Sequence, residues 1–181
     1  MHIDVYTEED FRFATLSQVR NYSPDEFYVK PHLPGFALTH LYDWLNGHIL
    51  KENQPRILIR AVAGTAYWVA QHVVPQATVD LWLSADQQNA CSRYQFAKLA
   101  EPMRLLESDS VPSDGDCSNV TCVVLACWVP DSVNWYNQIR AHSILGCKPM
   151  AVYDPDRRLR RHPEGEYFFN SSIWVVKGRV A

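Results

Sequence analysis

The sequence lacks a run of apolar residues long enough to cross a lipid bilayer. Its clearest apolar run, residues 119–130, spans about twelve residues, whereas a membrane-spanning helix needs about 20. The amino terminus is acidic, and a secretory signal would instead begin with basic and then apolar residues. These absences predict a soluble, cytoplasmic protein that has no membrane partner.

The best-marked catalytic motifs are also missing. The chain contains no G-x-S-x-G, no Walker motif, no H-E-x-x-H and no G-x-G-x-x-G, which excludes the best-marked hydrolases, P-loop enzymes and zinc proteases. Its five cysteines do not form C-x₂-C pairs, so they predict buried, reduced thiols. On one helix, His40 and His48 would lie too far apart around the axis for a metal pair. We therefore expect no metal site.

The bulk composition is that of an ordinary globular domain. The chain has 181 residues, of which 47% are hydrophobic, and this length predicts a single domain over residues 1–181. The formal net charge of −3 argues against nucleic-acid binding driven by the field of the whole molecule, although a local basic patch remains open. The composition does not indicate an oligomeric state.

The hydrophobic pattern divides the chain into a helical part, residues 1–54, and a sheet-containing part, residues 55–181. The order of elements predicts an α+β fold with a helical amino-terminal third, a mostly antiparallel sheet and helices packed on one face. A parallel, doubly wound sheet is the main alternative. The individual predictions are helices over 8–20, from 23, over 36–50, over 85–106 and from 131 to 145; strands over 57–62, 67–74, 120–128, 148–153 and 168–177; and loops over 108–118 and 155–166.

Residues 67–74 allow two interpretations. Their β-branched and aromatic content favours a strand that returns antiparallel to 57–62, with a turn at residues 63–65. A helix over 65–74 is the alternative.

Arg60 and Asp154 are the two main candidates for chemistry. Arg60 interrupts an apolar strand, where a charge needs a partner. Its guanidinium could make a bidentate contact to a carboxylate or a phosphate. Asp154 lies at the end of the predicted strand 148–153. A carboxylate at such a position can act as an acid, a base or a hydrogen-bond anchor. Their structural alternatives are an Arg on a solvated sheet surface and an Asp that only forms a turn.

A basic run follows Asp154. It could contact the phosphates of a nucleotide or nucleic acid, and the alternative is a solvated loop. The run consists of Arg157, Arg158, Arg160 and Arg161.

Part of the second half resembles the chorismate pyruvate-lyase family. The similar stretches are Ile59-Arg60, residues 64–70, Val73-Val74-Pro75, residues 93–96 and residues 140–154. The closing carboxylate of the family is Glu, and here it is Asp154. About 27 residues extend beyond it, and these departures from the family pattern are compatible with a relative that has the same fold but another ligand.

This resemblance implies an antiparallel sheet and a cofactor-independent carbon–oxygen lyase acting on a small anionic aromatic precursor. Arg60 would bind a carboxylate of that substrate, and Asp154 would hold its hydroxyl or assist the elimination of pyruvate. Arg140 would be a second anion contact, and Tyr153 would lie with the substrate-binding residues. The same fold also serves effector sensors without activity, so the family implies either a lyase or a ligand-binding protein.

Two other stretches are similar to different families. Residues 41–48 followed by 54–60 resemble the opening of ParB/sulfiredoxin-type domains, which implies a protein acting on nucleotides or DNA through the basic run 157–161. Residues 61–65, Ala-Val-Ala-Gly-Thr, resemble the cofactor loop of methyltransferase-like domains but lack its usual glycine pair. A non-catalytic interaction protein is a further alternative.

Overall fold

The computed structural model describes residues 35–61, 76–83, 103–107, 110–126 and 131–179, together with Val69 and Val73. The helices are α1 (Gly35–His48), α2 (Asp114–Cys117) and α3 (Asp131–Ala141), with 3₁₀ turns at Leu145–Cys147 and Phe168–Asn170. The strands are β1 (Arg56–Ala61), β2 (Thr78–Leu83), β3 (Met103–Glu107), β4 (Cys122–Ala126), β5 (Met150–Tyr153), β6 (Gly165–Tyr167) and β7 (Ile173–Val176).

The strands form one seven-stranded sheet in the order β3-β2-β1-β4-β5-β7-β6. The pairs β3–β2, β2–β1, β1–β4 and β4–β5 are all parallel. β7 is antiparallel to both of its neighbours, β5 and β6. The sheet is therefore mixed, and β7 is its one reversed strand among the described residues.

The predicted mostly antiparallel sheet is wrong, and so is the hairpin on which it rested. β1 pairs with β2 and β4, both in parallel, and Val69 and Val73 are helical instead of extended. Both valines are buried in the core beside α1. Residues four apart share one face of a helix, so this apolar spacing suits a buried helix as well as a strand.

Helices cover both faces of the sheet, which corrects the expectation of helices on one face. We call the two sides the α1 face and the α3 face. The α1 face buries Ile57 and Ile59 of β1 against α1, whereas the α3 face buries Leu58 against Tyr136 and Ile139 of α3. A parallel sheet is normally covered on both sides because its crossover helices pack there.

Several element predictions are confirmed and others change. The helix predicted over 36–50 is α1, and the strands predicted at 57–62, 120–128 and 148–153 contain β1, β4 and β5. The end of the helix predicted over 85–106 is instead β3, and residues 168–177 hold a 3₁₀ turn and then β7. The predicted loops contain α2 and the start of β6, while the helices predicted before residue 35 lie outside the described residues. None of the described helices is long and apolar enough to cross a membrane.

Candidate functional site

The strand order reverses between β1 and β4. From β1 the chain proceeds to β2 and β3 on one side, and from β4 it proceeds to β5 on the other. In open parallel sheets, ligands bind outside the carboxyl ends of the strands at such a reversal, because the two connecting loops diverge and leave a crevice. Small residues, Ala61 and Ala126, end the two strands side by side. We call this region the carboxyl edge.

Arg60 lies one residue before the carboxyl edge, on the α3 face. Its guanidinium carbon is 4.9 Å from the centre of the Trp82 ring and 4.8 Å from that of Trp135. The two indoles are themselves packed edge to face, with centroids 4.7 Å apart. Contacts between a guanidinium and aromatic faces are attractive, and they hold the side chain in one orientation. Arg60 is therefore a preoriented, half-buried cation at the sheet reversal.

A buried ion pair lies deeper on the same face. Nη1 of Arg56 donates to Oδ1 and Oδ2 of Asp80, at 3.2 and 3.3 Å, and Asp80 is fully buried. A buried carboxylate needs a compensating charge, which Arg56 supplies to Asp80. We therefore assign this ion pair a structural role between the two strands. It joins β1 to β2 on the side of the strands away from their carboxyl ends.

Asp154 forms a turn and does not face a cavity. Its Oδ1 accepts a hydrogen bond from the backbone N–H of Arg158 at 3.0 Å. Its Oδ2 accepts from the N–H of Leu159 at 2.9 Å and from the Tyr167 hydroxyl at 2.6 Å. The side chain is fully buried, and burial together with this hydrogen bond raises the pKa of Tyr167. These contacts match the structural alternative, in which Asp154 shapes the loop after β5.

The structure does not bring Arg60 and Asp154 into one site. β4 lies between their strands, so the backbones are about 10 Å apart across the sheet. In the register of the sheet, Arg60 pairs with Leu125, and Leu125 pairs with Val152. Asp154 is two residues beyond Val152, so it is also displaced from Arg60 along the strand direction.

Tyr153 and Arg140 also lie away from Arg60. Tyr153 packs in the α1-face core, on the other side of the sheet, and burial followed by Asp156 raises its pKa to about 12. Arg140 lies in the last turn of α3, towards the amino ends of the strands, where it contacts Tyr136, the His162 ring and, by an ion pair, Glu164. Burial and then Arg140 lower the pKa of His162. The four residues assigned to a lyase site therefore occupy separate places.

The basic run does not form one uniform patch. Arg157 packs over the Tyr167 ring at 4.2 Å and donates from Nη2 to the carbonyl oxygens of Asn170 and Ser171. Arg158 is half exposed beside Asp156, with the charged atoms 3.9 Å apart. Arg160 and Arg161 are exposed. A phosphate-binding role for the three exposed arginines stays a prediction.

Two of the described thiols, those of Cys117 and Cys122, are poor candidates for nucleophiles. Cys117 and Cys122 are buried, and burial raises the pKa of each, that of Cys117 to about 11. A thiol reacts as its thiolate, so a raised pKa suppresses its reactivity near neutral pH. Among the residues that the structure describes, no cluster of three His, Cys, Asp or Glu side chains could hold a metal ion.

Sequence reasoning found Arg60 but missed the two tryptophans that hold it. The high aromatic content was visible, yet Trp82 and Trp135 lie 22 and 75 residues from Arg60 in the chain, so no local pattern joins them. Neither known protein-family models nor curated protein sequences gave a match to this chain. The carboxyl edge with Arg60 is the candidate site on geometric grounds.

Proposed function

We propose that this chain is a methyltransferase-like domain that binds a small nucleoside-type ligand with an anionic group at its carboxyl edge. The observation that carries the proposal is the strand order β3-β2-β1-β4-β5-β7-β6 with a reversed β7, the arrangement typical of methyltransferase-like sheets. The resemblance of residues 61–65 to a degenerate cofactor loop adds support, because these residues begin at the last position of β1. Nucleoside-type ligands bind at this position in doubly wound sheets.

Arg60 indicates the charge of the ligand. A guanidinium presents several N–H donors in a planar array that suits carboxylate or phosphate oxygens. The two indoles lie on the same side of Arg60, with their centroids only 4.7 Å apart, so they shield that side of the guanidinium from water. The site therefore suits a ligand with an anionic group, such as the carboxylate of an amino-acid moiety or a nucleotide phosphate.

The residues that the structure describes fit S-adenosylmethionine only in part. Arg60 suits its carboxylate, but the buried carboxylate of β2, Asp80, is bonded to Arg56 and lies away from the carboxyl end. In related doubly wound sheets, an acidic residue near that end binds the ribose hydroxyls. The glycine pair that allows close approach of the ligand is also absent from residues 61–65. We therefore propose ligand binding and derive no transfer step.

Thermal unfolding with a ligand panel tests the proposal. The panel contains S-adenosylmethionine, S-adenosylhomocysteine, ATP, chorismate and 4-hydroxybenzoate. A ligand at about 100 times its Kd stabilises the fold by about 2.7 kcal/mol, which raises Tm by roughly 5–10 °C for a chain of this size. We expect such a shift with an adenosyl ligand, and at least about tenfold weaker binding by calorimetry for Arg60→Met, a loss of about 1.4 kcal/mol.

The matched control is Lys51→Met, which also removes a positive charge, at an exposed position outside the basic run, and should leave binding unaltered. A shift with chorismate or 4-hydroxybenzoate alone would instead support the lyase-type ligand. No shift with any of the five compounds would overturn the proposal and leave the non-catalytic interaction protein as the better hypothesis.

A further inference from the structure

A cavity lies at the other end of the strands, on the α1 face. It has a volume of about 870 Å³, within the size range of small-molecule sites. Ile49, which follows α1, and Pro149, which precedes β5, contribute to its wall, so it lies near the amino end of β5. We call it the aromatic groove and define it by Trp44, His48, Glu166, Phe168, Phe169 and Val175.

One wall of the aromatic groove is a continuous row of four rings. Trp44 and His48 stack with centroids 6.1 Å apart and an interplanar angle of 21°. The His48 ring meets Phe168 edge to face at 6.2 Å, and Phe168 meets Phe169 in the same way at 4.5 Å. Trp44 and His48 are one helical turn apart in α1, which places both rings on one side of the helix.

Phe169 is exposed to solvent, and its backbone has an unfavourable, left-handed conformation. Its side chain is 84% exposed, although a large apolar side chain gains free energy from burial. Its φ and ψ are 44° and 43°, and Asn170 follows with φ 56°, so two successive non-glycine residues occupy the left-handed region. Such strain, retained around an exposed aromatic ring beside a cavity, points to a binding role.

Arg157 holds this turn in place. Nη2 of Arg157 donates to the Asn170 carbonyl at 3.1 Å, to Asn170 Oδ1 at 3.3 Å and to the Ser171 carbonyl at 3.2 Å. Its guanidinium also packs on the Tyr167 ring. Arg157 is thus a positioning residue for Phe169.

The lining of the aromatic groove includes two glutamates and one lysine. Glu166 pairs with Val175, whose side chain packs on the α1-face core, so both side chains are on the face that carries the ring row. Glu166 is exposed, and Glu164, a second carboxylate of the lining, is ion-paired with Arg140. Lys177, two residues after Val175, also belongs to the lining, so the preference for a cation rests on the ring row together with Glu166. Ammonium and guanidinium groups are attracted to the faces of aromatic rings and to a nearby carboxylate.

We propose that the aromatic groove binds a small organic cation with an apolar body. The cation rests against the Trp44–His48–Phe168–Phe169 row and is neutralised by Glu166. This site is separate from the carboxyl edge, so either site can fail its test while the other stands.

Titration with benzyltrimethylammonium, followed by backbone amide chemical shifts, tests this site. We expect saturable shifts at residues 44–49 and 164–170, with at least about fivefold weaker binding of neopentylbenzene, the neutral isostere. Glu166→Gln should reduce the preference for the cation, and Phe169→Ala should weaken binding of both compounds about threefold to tenfold. Arg157→Ala should weaken binding less, with shift changes centred on the 168–171 turn.

The matched control is Glu52→Gln, the same charge change at an exposed residue outside the lining. Equal affinity for the cation and its isostere, or a preference unchanged in Glu166→Gln, would overturn the proposal. Absence of shifts at millimolar benzyltrimethylammonium in the folded wild-type protein would do so as well.

Discussion

At the scale of single residues, Asp154 is a structural carboxylate. It is fully buried and satisfies two backbone N–H groups and the Tyr167 hydroxyl. Removing the acceptor leaves these donors without a partner in the interior, and each unsatisfied group costs about 1–3 kcal/mol. We expect Asp154→Ala to lower the free energy of unfolding by about 3 kcal/mol, measured by urea denaturation.

The comparison for Asp154 is the neighbouring Asp156→Ala, because Asp156 is well exposed. A substitution at such a position should change stability by no more than about 0.5 kcal/mol. Equal effects of the two substitutions would show that the buried contacts of Asp154 contribute little.

The candidate residues differ in how far the sequence could place them. A charge within the apolar run of β1 requires a partner, which is why the sequence marked Arg60 as a candidate. Its partners come from β2 and α3, and only the sheet order brings them together. Tyr153 lies on the opposite face of the sheet from Arg60. Alternation along each strand alone does not show this separation, because it also depends on strand order and register, which the local sequence does not supply.

At the scale of elements, the β6–β7 pair depends on a glycine. Gly165 in β6 lies under the indole of Trp174 in β7, and a Cβ at that position would overlap the indole ring. Trp174 is fully buried and also packs against Tyr136 and His162, so it cannot move away cheaply. We expect Gly165→Ala to destabilise the fold by about 2 kcal/mol or more in thermal or urea unfolding.

Gly115 supplies the control for Gly165. It lies in α2, and a Cβ there would meet open space. Gly115→Ala should therefore be neutral or stabilise the protein by up to about 1 kcal/mol, because it reduces the entropy of the unfolded chain. A neutral Gly165→Ala would contradict the close approach of Trp174.

The shortest elements were among those that sequence patterns missed. β6 has three residues, of which Gly165 and Glu166 carry no strand preference, so nothing in the local composition distinguishes it from a loop. α2 consists of Asp-Gly-Asp-Cys and is equally unmarked. By contrast, α1 was predictable because Leu38, Leu41 and Leu45 recur at helical spacing, and all three are buried.

At the scale of the whole molecule, the direction of the sheet was the main error. The evidence for a parallel sheet was present in the uninterrupted apolar strands, since β4 reads Cys-Val-Val-Leu-Ala and all five residues are buried. Strands covered on both faces lose the alternation of an antiparallel sheet with one solvated side. The sequence predicted the central strands correctly but could not supply strand order, which depends on contacts between distant segments.

Hydrogen exchange of the whole protein tests this strand order. β4 lies between β1 and β5 in the middle of the sheet, whereas β6 is an edge strand of three residues. Amides of a central buried strand exchange through global unfolding, and those of a short edge strand exchange through local opening. We therefore expect exchange from β4 to be about 100-fold slower than from β6 in native-state NMR measurements, a difference of about 2.7 kcal/mol. Because Gly165→Ala lowers the global free energy of unfolding, it should accelerate exchange in β4 as well as in β6. Comparable wild-type rates in the two strands would contradict the central place of β4.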